Sequence, residues 1–281
     1  MKLRSLLPTL VFGLITSSHS ADLTAQIDSV VADFVRRAEI EENTPGMAVL
    51  VSDSQRKKVI YETFVGLSDL KAQTPIGPHT PFRLGSVTKP MTAAAIQQLH
   101  EQGRLEIHGS AQGLLPDLTH DNVTFHHLLS HSAGFQEYTG FQFLKPKSTN
   151  VEIIEYLERK RLRFEPGEER EYSNTGYAIL ASAIKAASGV NFATYLKTEI
   201  FEPQSMTTAL VPGLNWRSVP ERAIGYNRIL WQYLEDDEDF LNGVVGDRGV
   251  YGSVMDLDQW MTAYFDYRIV SKQSVDQALR A

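Results

Sequence analysis

The sequence predicts an α+β protein, with a β-hairpin near the N-terminus and a long, mostly helical region after it. Two β-rich runs, Met47–Val51 and Lys58–Val65, flank a polar stretch from Ser52 to Arg56, the pattern of a hairpin. From Ser86 onward, apolar residues recur at helical spacing in one segment after another.

The elements follow in order. Between Asp22 and Glu42, Ile27, Val30, Val31, Phe34 and Val35 fall at helical spacing, and Asn43-Thr44-Pro45-Gly46 ends the run. After the hairpin, residues 74–81 hold three prolines and one glycine and read as loop. The next helix begins at Ser86. Val87, Met91, Ala94, Ala95 and Leu99 share one face, Pro90 fits the first turn, and Gly103 is a natural stop. Further helices are expected over Val123–His131, Asn150–Arg161, Thr175–Ser188, Asn191–Phe201 and Asp256–Tyr267, the last with Leu257, Trp260, Met261 and Tyr264 on one side. No internal repeat or linker interrupts the chain, so we expect one domain over residues 21–281.

Residues 1–20 read as a secretory leader: Lys2 and Arg4, then a short apolar run from Leu6 to Ile15, then Ser18-His19-Ser20 before Ala21. The apolar run is shorter than the roughly 20 residues that span a bilayer, so the expected location is periplasmic or secreted, without stable membrane insertion. The net charge is −7, and it becomes −9 when Lys2 and Arg4 leave with the leader. Such a chain is a poor partner for nucleic acid, which needs clustered Lys and Arg. There are no cysteines, which excludes disulfides, thiolate nucleophiles and Cys-ligated zinc. The acidic run Glu235 to Asp239 reads as a solvated loop.

A Ser three residues before a Lys occurs four times, at Ser54/Lys57, Ser68/Lys71, Ser86/Lys89 and Ser182/Lys185. Ser54 and Ser68 lie in turn-like segments, and Ser182 lies inside a helix. Only Ser86 stands at an expected helix start, where a spacing of three puts Lys89 on the same face, about 5–6 Å away at the Cβ atoms. The unpaired N–H groups of a helix start can stabilise an oxyanion or alkoxide. A serine hydroxyl needs a base to become a nucleophile, and burial favours the neutral, basic form of an amine. Taken alone, the motif reads equally well as an N-cap serine. Tyr172 and Asn174, at the mouth of the helix expected from Thr175, can supply a phenol relay and an orienting amide. The alternative is a packed tyrosine and a capping asparagine.

No G-x-S-x-G elbow occurs, which argues against an α/β-hydrolase mechanism. His127 and His131, four apart on an expected helix, invite a zinc reading, but no spacing suggests a third ligand, and no metal is expected.

These residues resemble a family, the serine β-lactamase-like hydrolases, especially the branch of class C β-lactamases, penicillin-binding proteins and esterases. The segment Phe82-Arg83-Leu84-Gly85-Ser86-Val87-Thr88-Lys89 looks like its nucleophile motif, and Tyr172-Ser173-Asn174 like its second motif. His127 to Gly134 resembles its Leu-Leu-x-His-x-x-Gly turn, and Gly249 to Leu257 its late loop before a helix. The resemblance implies the β-lactamase/DD-peptidase-like fold and an acyl-enzyme mechanism without cofactor. Ser86 would be the acylated nucleophile, Lys89 its proton acceptor and Tyr172 the relay to the leaving group. Asn174 would hold substrate and lysine, and the histidines would be structural.

The family also carries a late Lys-Thr-Gly or His-x-Gly on a strand that supplies a second oxyanion N–H. Nothing after Tyr172 matches it. The expectation is therefore a domain lacking the last strands of its sheet, with an exposed edge that invites self-association. Two functions follow. One is a serine hydrolase acting on an amide, ester or β-lactam, with general esterase or peptidase activity favoured over β-lactamase activity. The other is a truncated, inactive relative that at most binds peptidoglycan-like or ester ligands.

Overall fold

The computed structural model describes residues 20–53, 58–140, 147–158, 160–237 and 241–280. The expected leader, apart from Ser20, lies outside them, as do Ser54, Lys57, Glu238 and Asp239. Helix α1 (Ser20–Arg37) belongs to a unit of its own, ending at Glu39, and is described by itself. Asp33 accepts from Arg36 at 2.5 Å and also pairs with Arg37. The expected helix over residues 22–42 thus ends five residues early. Residues 41–44 form a turn instead, closed by Thr44 Oγ1, which accepts the Glu41 N–H at 2.8 Å.

In the second unit, β1 (Met47–Asp53) and β2 (Lys58–Val65) form the expected antiparallel hairpin, Met47 opposite Val65, with a bulge between Val51 and Ser52. Three short strands follow: β3 (Leu67–Asp69), β4 (Thr74–Pro75) and β5 (Phe82–Arg83). Among the described residues no third strand joins β1 and β2.

The helical part is built around one helix. α2 (Thr88–Glu101), α3 (Phe125–Leu129), α4 (Asn150–Leu157), α5 (Asn174–Ser188) and α6 (Phe192–Leu196) come in sequence, with a π-turn over Lys197–Phe201. α5 is apolar or small on nearly every side, and it packs against α2, α3, α4 and α6. Met91, Ala94, Ala95 and Leu99 of α2 are wholly buried, as are Ile179, Leu180 and Ile184 of α5. This core fixes the two helix starts that carry the candidate site. A second hairpin, β6 (Tyr226–Ile229) and β7 (Gln232–Glu235), precedes β8 (Tyr251–Gly252), which pairs antiparallel with β5. The chain continues in α7 (Val254–Phe265), which packs on β1, and α8 (Lys272–Ala278).

Several expectations are corrected. The segment from Val123 to His131 is helical only over α3, because Thr124 caps it through a box with His127 and the chain leaves it before His131. His131 sits outside the helix at φ +60°, so His127 and His131 do not share a helical face. Ser68 lies on β3, not in a turn, and its Oγ donates to the Thr74 carbonyl at 3.3 Å. The acidic run is not simply a solvated loop. Glu235 ends β7, and Asp237 is buried in an ion pair with Arg222 at 2.6 Å. That pairing joins residues fifteen apart across the second hairpin, which no local pattern reveals.

Candidate active site

Ser86 is held from both sides. Phe82 and Arg83 pair with Gly252 and Tyr251, and Leu84 N–H donates to the Val250 carbonyl at 3.0 Å. Gly85 then turns the chain at φ +53°, a region that favours glycine. A 3₁₀ turn over Gly85–Val87 follows, and α2 starts at Thr88, two residues later than expected. Neither helix start has a side-chain cap, so Ser86 is not an N-cap. Ser86 is exposed, whereas Lys89, on the first turn of α2, is only 4% exposed.

Tyr172 and Asn174 arrive from the start of α5. There the cap is Ser173, whose Oγ accepts the Gly176 N–H at 3.0 Å, so Asn174 is not the capping residue either. Its side chain serves Lys89 instead. Lys89 Nζ donates to Asn174 Oδ1 at 2.7 Å, to the Asp247 carbonyl at 3.0 Å and to Ser86 Oγ at 3.2 Å. Tyr172, 56% exposed, donates its hydroxyl to Ser86 Oγ at 2.9 Å. The Lys89 amine lies 4.7 Å from the centre of the Tyr172 ring. Of the four residues, Lys89 and Tyr172 thus meet at the Ser86 hydroxyl, and Asn174 holds Lys89.

Other members of the site carried no signal in the sequence reading. Asp247 contributes a backbone carbonyl, which any residue type has. Gly246 before it stands at φ +106°, and a Cβ there would meet the Tyr177 carbonyl at 2.3 Å. The loop is tied to α2 by Thr92, whose hydroxyl donates to the Gly246 carbonyl at 2.7 Å. Asn150 staples the loop to α4 and α5 through Val245 and Ala178. Asp247 Oδ2 accepts from Tyr138 at 2.9 Å and from Arg248 at 3.0 Å. Burial raises the Asp247 carboxyl above its ordinary value, and the Arg248 guanidinium opposes that shift. Burial and the Asp247 carboxylate likewise push the Tyr138 phenol up. The sequence signal that could have found this loop is a charged pair, Asp247-Arg248, set between glycines in an apolar run.

Two further residues orient the Tyr172 segment. Glu137 Oε2 accepts the Asn174 N–H at 2.8 Å, a carboxylate at the start of α5 where the helix dipole favours it. His131 Nδ1 accepts the Ser173 N–H at 3.2 Å, and its ring lies 4.8 Å from that of Tyr172. Burial, followed by the positive charges of Lys89 and Arg170, holds His131 below the usual imidazole value. Among the described residues no group of three or more His, Cys, Asp or Glu could hold a metal ion. Beside Ser86 opens a cavity of about 240 Å³.

Comparison with known proteins gives the family. The β-lactamase family model matches residues 27–281, and the chain belongs to that family. It is 33% identical over 239 residues to penicillin-binding protein 4* of Bacillus subtilis, covering 78% of this chain and 52% of that protein. The octameric penicillin-binding protein homologue from Pyrococcus abyssi superposes with a TM-score of 0.76 at 27% identity, over 90% of this chain and 59% of that one. The D-amino acid amidase from Ochrobactrum anthropi SV3 shares the fold, with a TM-score of 0.76 at 23% identity over 91% of this chain and 74% of that one. The chain spans little more than half the length of curated relatives that it matches. Among the described residues no helix is long and apolar enough to cross a membrane.

Proposed function

We propose that the chain is a serine hydrolase that forms an acyl-enzyme on Ser86 from an amide, ester or β-lactam. The observation that carries this reading is the convergence of Lys89 Nζ and Tyr172 OH on Ser86 Oγ, at 3.2 and 2.9 Å. In its neutral form Lys89 keeps its N–H bonds to Asn174 and the Asp247 carbonyl, turns its lone pair to Ser86 and takes the serine proton as Oγ bonds to the substrate carbonyl carbon. The C–N or C–O bond then breaks, and Tyr172 passes a proton to the departing nitrogen or oxygen. Water attacks the ester so formed, returning Ser86 and releasing the acid. Asn174 and the Asp247 carbonyl hold the amine in line throughout.

Burst kinetics test the reading. With a 4-nitrophenyl ester we expect a burst of nitrophenol equivalent to the protein present, absent in Ser86→Ala, followed by a slower steady state. A wild-type trace without a burst and no faster than Ser86→Ala would favour the inactive relative. We infer also that residues 1–20 direct export. Mature protein beginning at Ala21 supports this, and a retained Met1 contradicts it.

A further inference from the structure

The cavity beside Ser86 is not a neutral slot. Arg83, Trp216, Asn242, Arg248 and Tyr251 line it together with Ser86 itself, whereas Lys89, Tyr172 and Asn174 do not. Arg83 is fixed in place, donating from Nε to the Tyr251 hydroxyl at 2.9 Å and from Nη2 to the Asp237 carbonyl at 3.0 Å. Its guanidinium lies 5.2 Å from the centre of the Trp216 ring. Arg217 and Arg222 each approach the same indole at 4.9 Å. Outside the lining, Asp237 pairs with Arg222 at 2.6 Å and Asp247 with Arg248 at 3.0 Å. A chain of net charge −7 thus places two guanidiniums and an indole next to its nucleophile.

We propose that this cavity is a carboxylate subsite and that the preferred substrate carries an anionic group on its acyl part. The inference rests on the acyl-enzyme reading above. With Tyr172 serving the leaving group, the acyl chain is the part that points away from Tyr172, into the cavity. Guanidinium forks match carboxylates in shape as well as charge. At about 240 Å³ the cavity is smaller than the roughly 300–1,000 Å³ of sites for drug-sized ligands. It suits a short acidic chain, not a whole peptide.

The test compares two esters of equal length, the 4-nitrophenyl half-ester of glutaric acid and its neutral carboxamide counterpart. We expect kcat/KM to favour the acid by about tenfold or more, the scale of one charge-assisted hydrogen bond. That ratio should collapse in Arg83→Gln. Arg248→Lys keeps a cation beside Asp247, so it guards against loss of folding, and it should also lower the ratio because lysine lacks the fork. A calorimetric titration of Ser86→Ala with glutarate, against glutaramide, reads binding without chemistry, and we expect saturable binding of glutarate alone. Equal turnover of the two esters overturns the subsite and leaves the hydrolase standing. Glutarate bound by Ser86→Ala, with neither ester hydrolysed by wild type, upholds the subsite and overturns the hydrolase. No ratio and no binding overturns the subsite outright.

Discussion

Removing the Asn174 side chain separates two accounts of the α5 start. Either the asparagine caps the helix, or it holds the Lys89 amine. Asn174→Ala keeps the Asn174 N–H bond to Glu137 and the Ser173 cap, since neither uses the Asn174 side chain. It deletes the shortest of the three acceptors on Lys89 Nζ, at 2.7 Å. Bonds to ionisable groups contribute about 1.5–3 kcal/mol, so loss at the transition state slows acylation roughly 10- to 100-fold. Ser173→Ala should do the opposite. Loss of the cap costs about 1 kcal/mol, or about 2–4 °C in Tm for a unit of this size, with acylation within about threefold of wild type. Stopped-flow acylation and thermal melting of the two variants decide the matter. Unchanged acylation in Asn174→Ala would refute the positioning argument.

Three other outcomes follow from the same structure. Gly246→Ala would drive a Cβ to 2.3 Å from the Tyr177 carbonyl at φ +106°. It should cost at least about 2 kcal/mol and displace the carbonyl that holds Lys89, read as a lower Tm together with slower acylation. Arg222→Ala leaves the buried Asp237 without its cation and should cost about 3–5 kcal/mol, measured by denaturant unfolding. His131 and His127 are both held below the usual 6.5, mainly by burial. Below pH 6.5 the unfolded chain therefore binds protons that the folded one refuses, and stability falls as pH drops from 6.5 through the folded values. His131→Asn keeps an acceptor and tolerates φ +60°, so its Tm should decline less steeply over that range. An identical slope would contradict the assignment.

The candidate site was legible because its side chains are chemically distinctive and stand at helix starts, which leave their own marks in sequence. Ser86 and Lys89 are neighbours on one turn, and Tyr172 and Asn174 flank the cap of another. α2 and α5 are held together by packing, of which the sequence reading named only the apolar face of α2. The Asp247 carbonyl was not legible, because a backbone atom has no residue signature and depends on the Gly246 turn. Spacing alone puts His131 on a helix with His127, whereas the Leu-Leu-x-His-x-x-Gly resemblance already places it in a turn, and it lies in one at φ +60°. The β6–β7 hairpin escaped notice for another reason. Its turn is Leu230-Trp231, with Leu230 at φ +56°, where glycine or asparagine would have signalled it. The same region hid Asp237, whose burial depends on Arg222.

The central claim is that Ser86 is the nucleophile, and intact-protein mass addresses it most directly. After incubation with a fluorophosphonate, and separately with a penicillin, we expect one adduct per chain on the wild-type protein and none on Ser86→Ala. A folded wild-type protein that gains no mass with either reagent, or an adduct that survives in Ser86→Ala, would contradict the account.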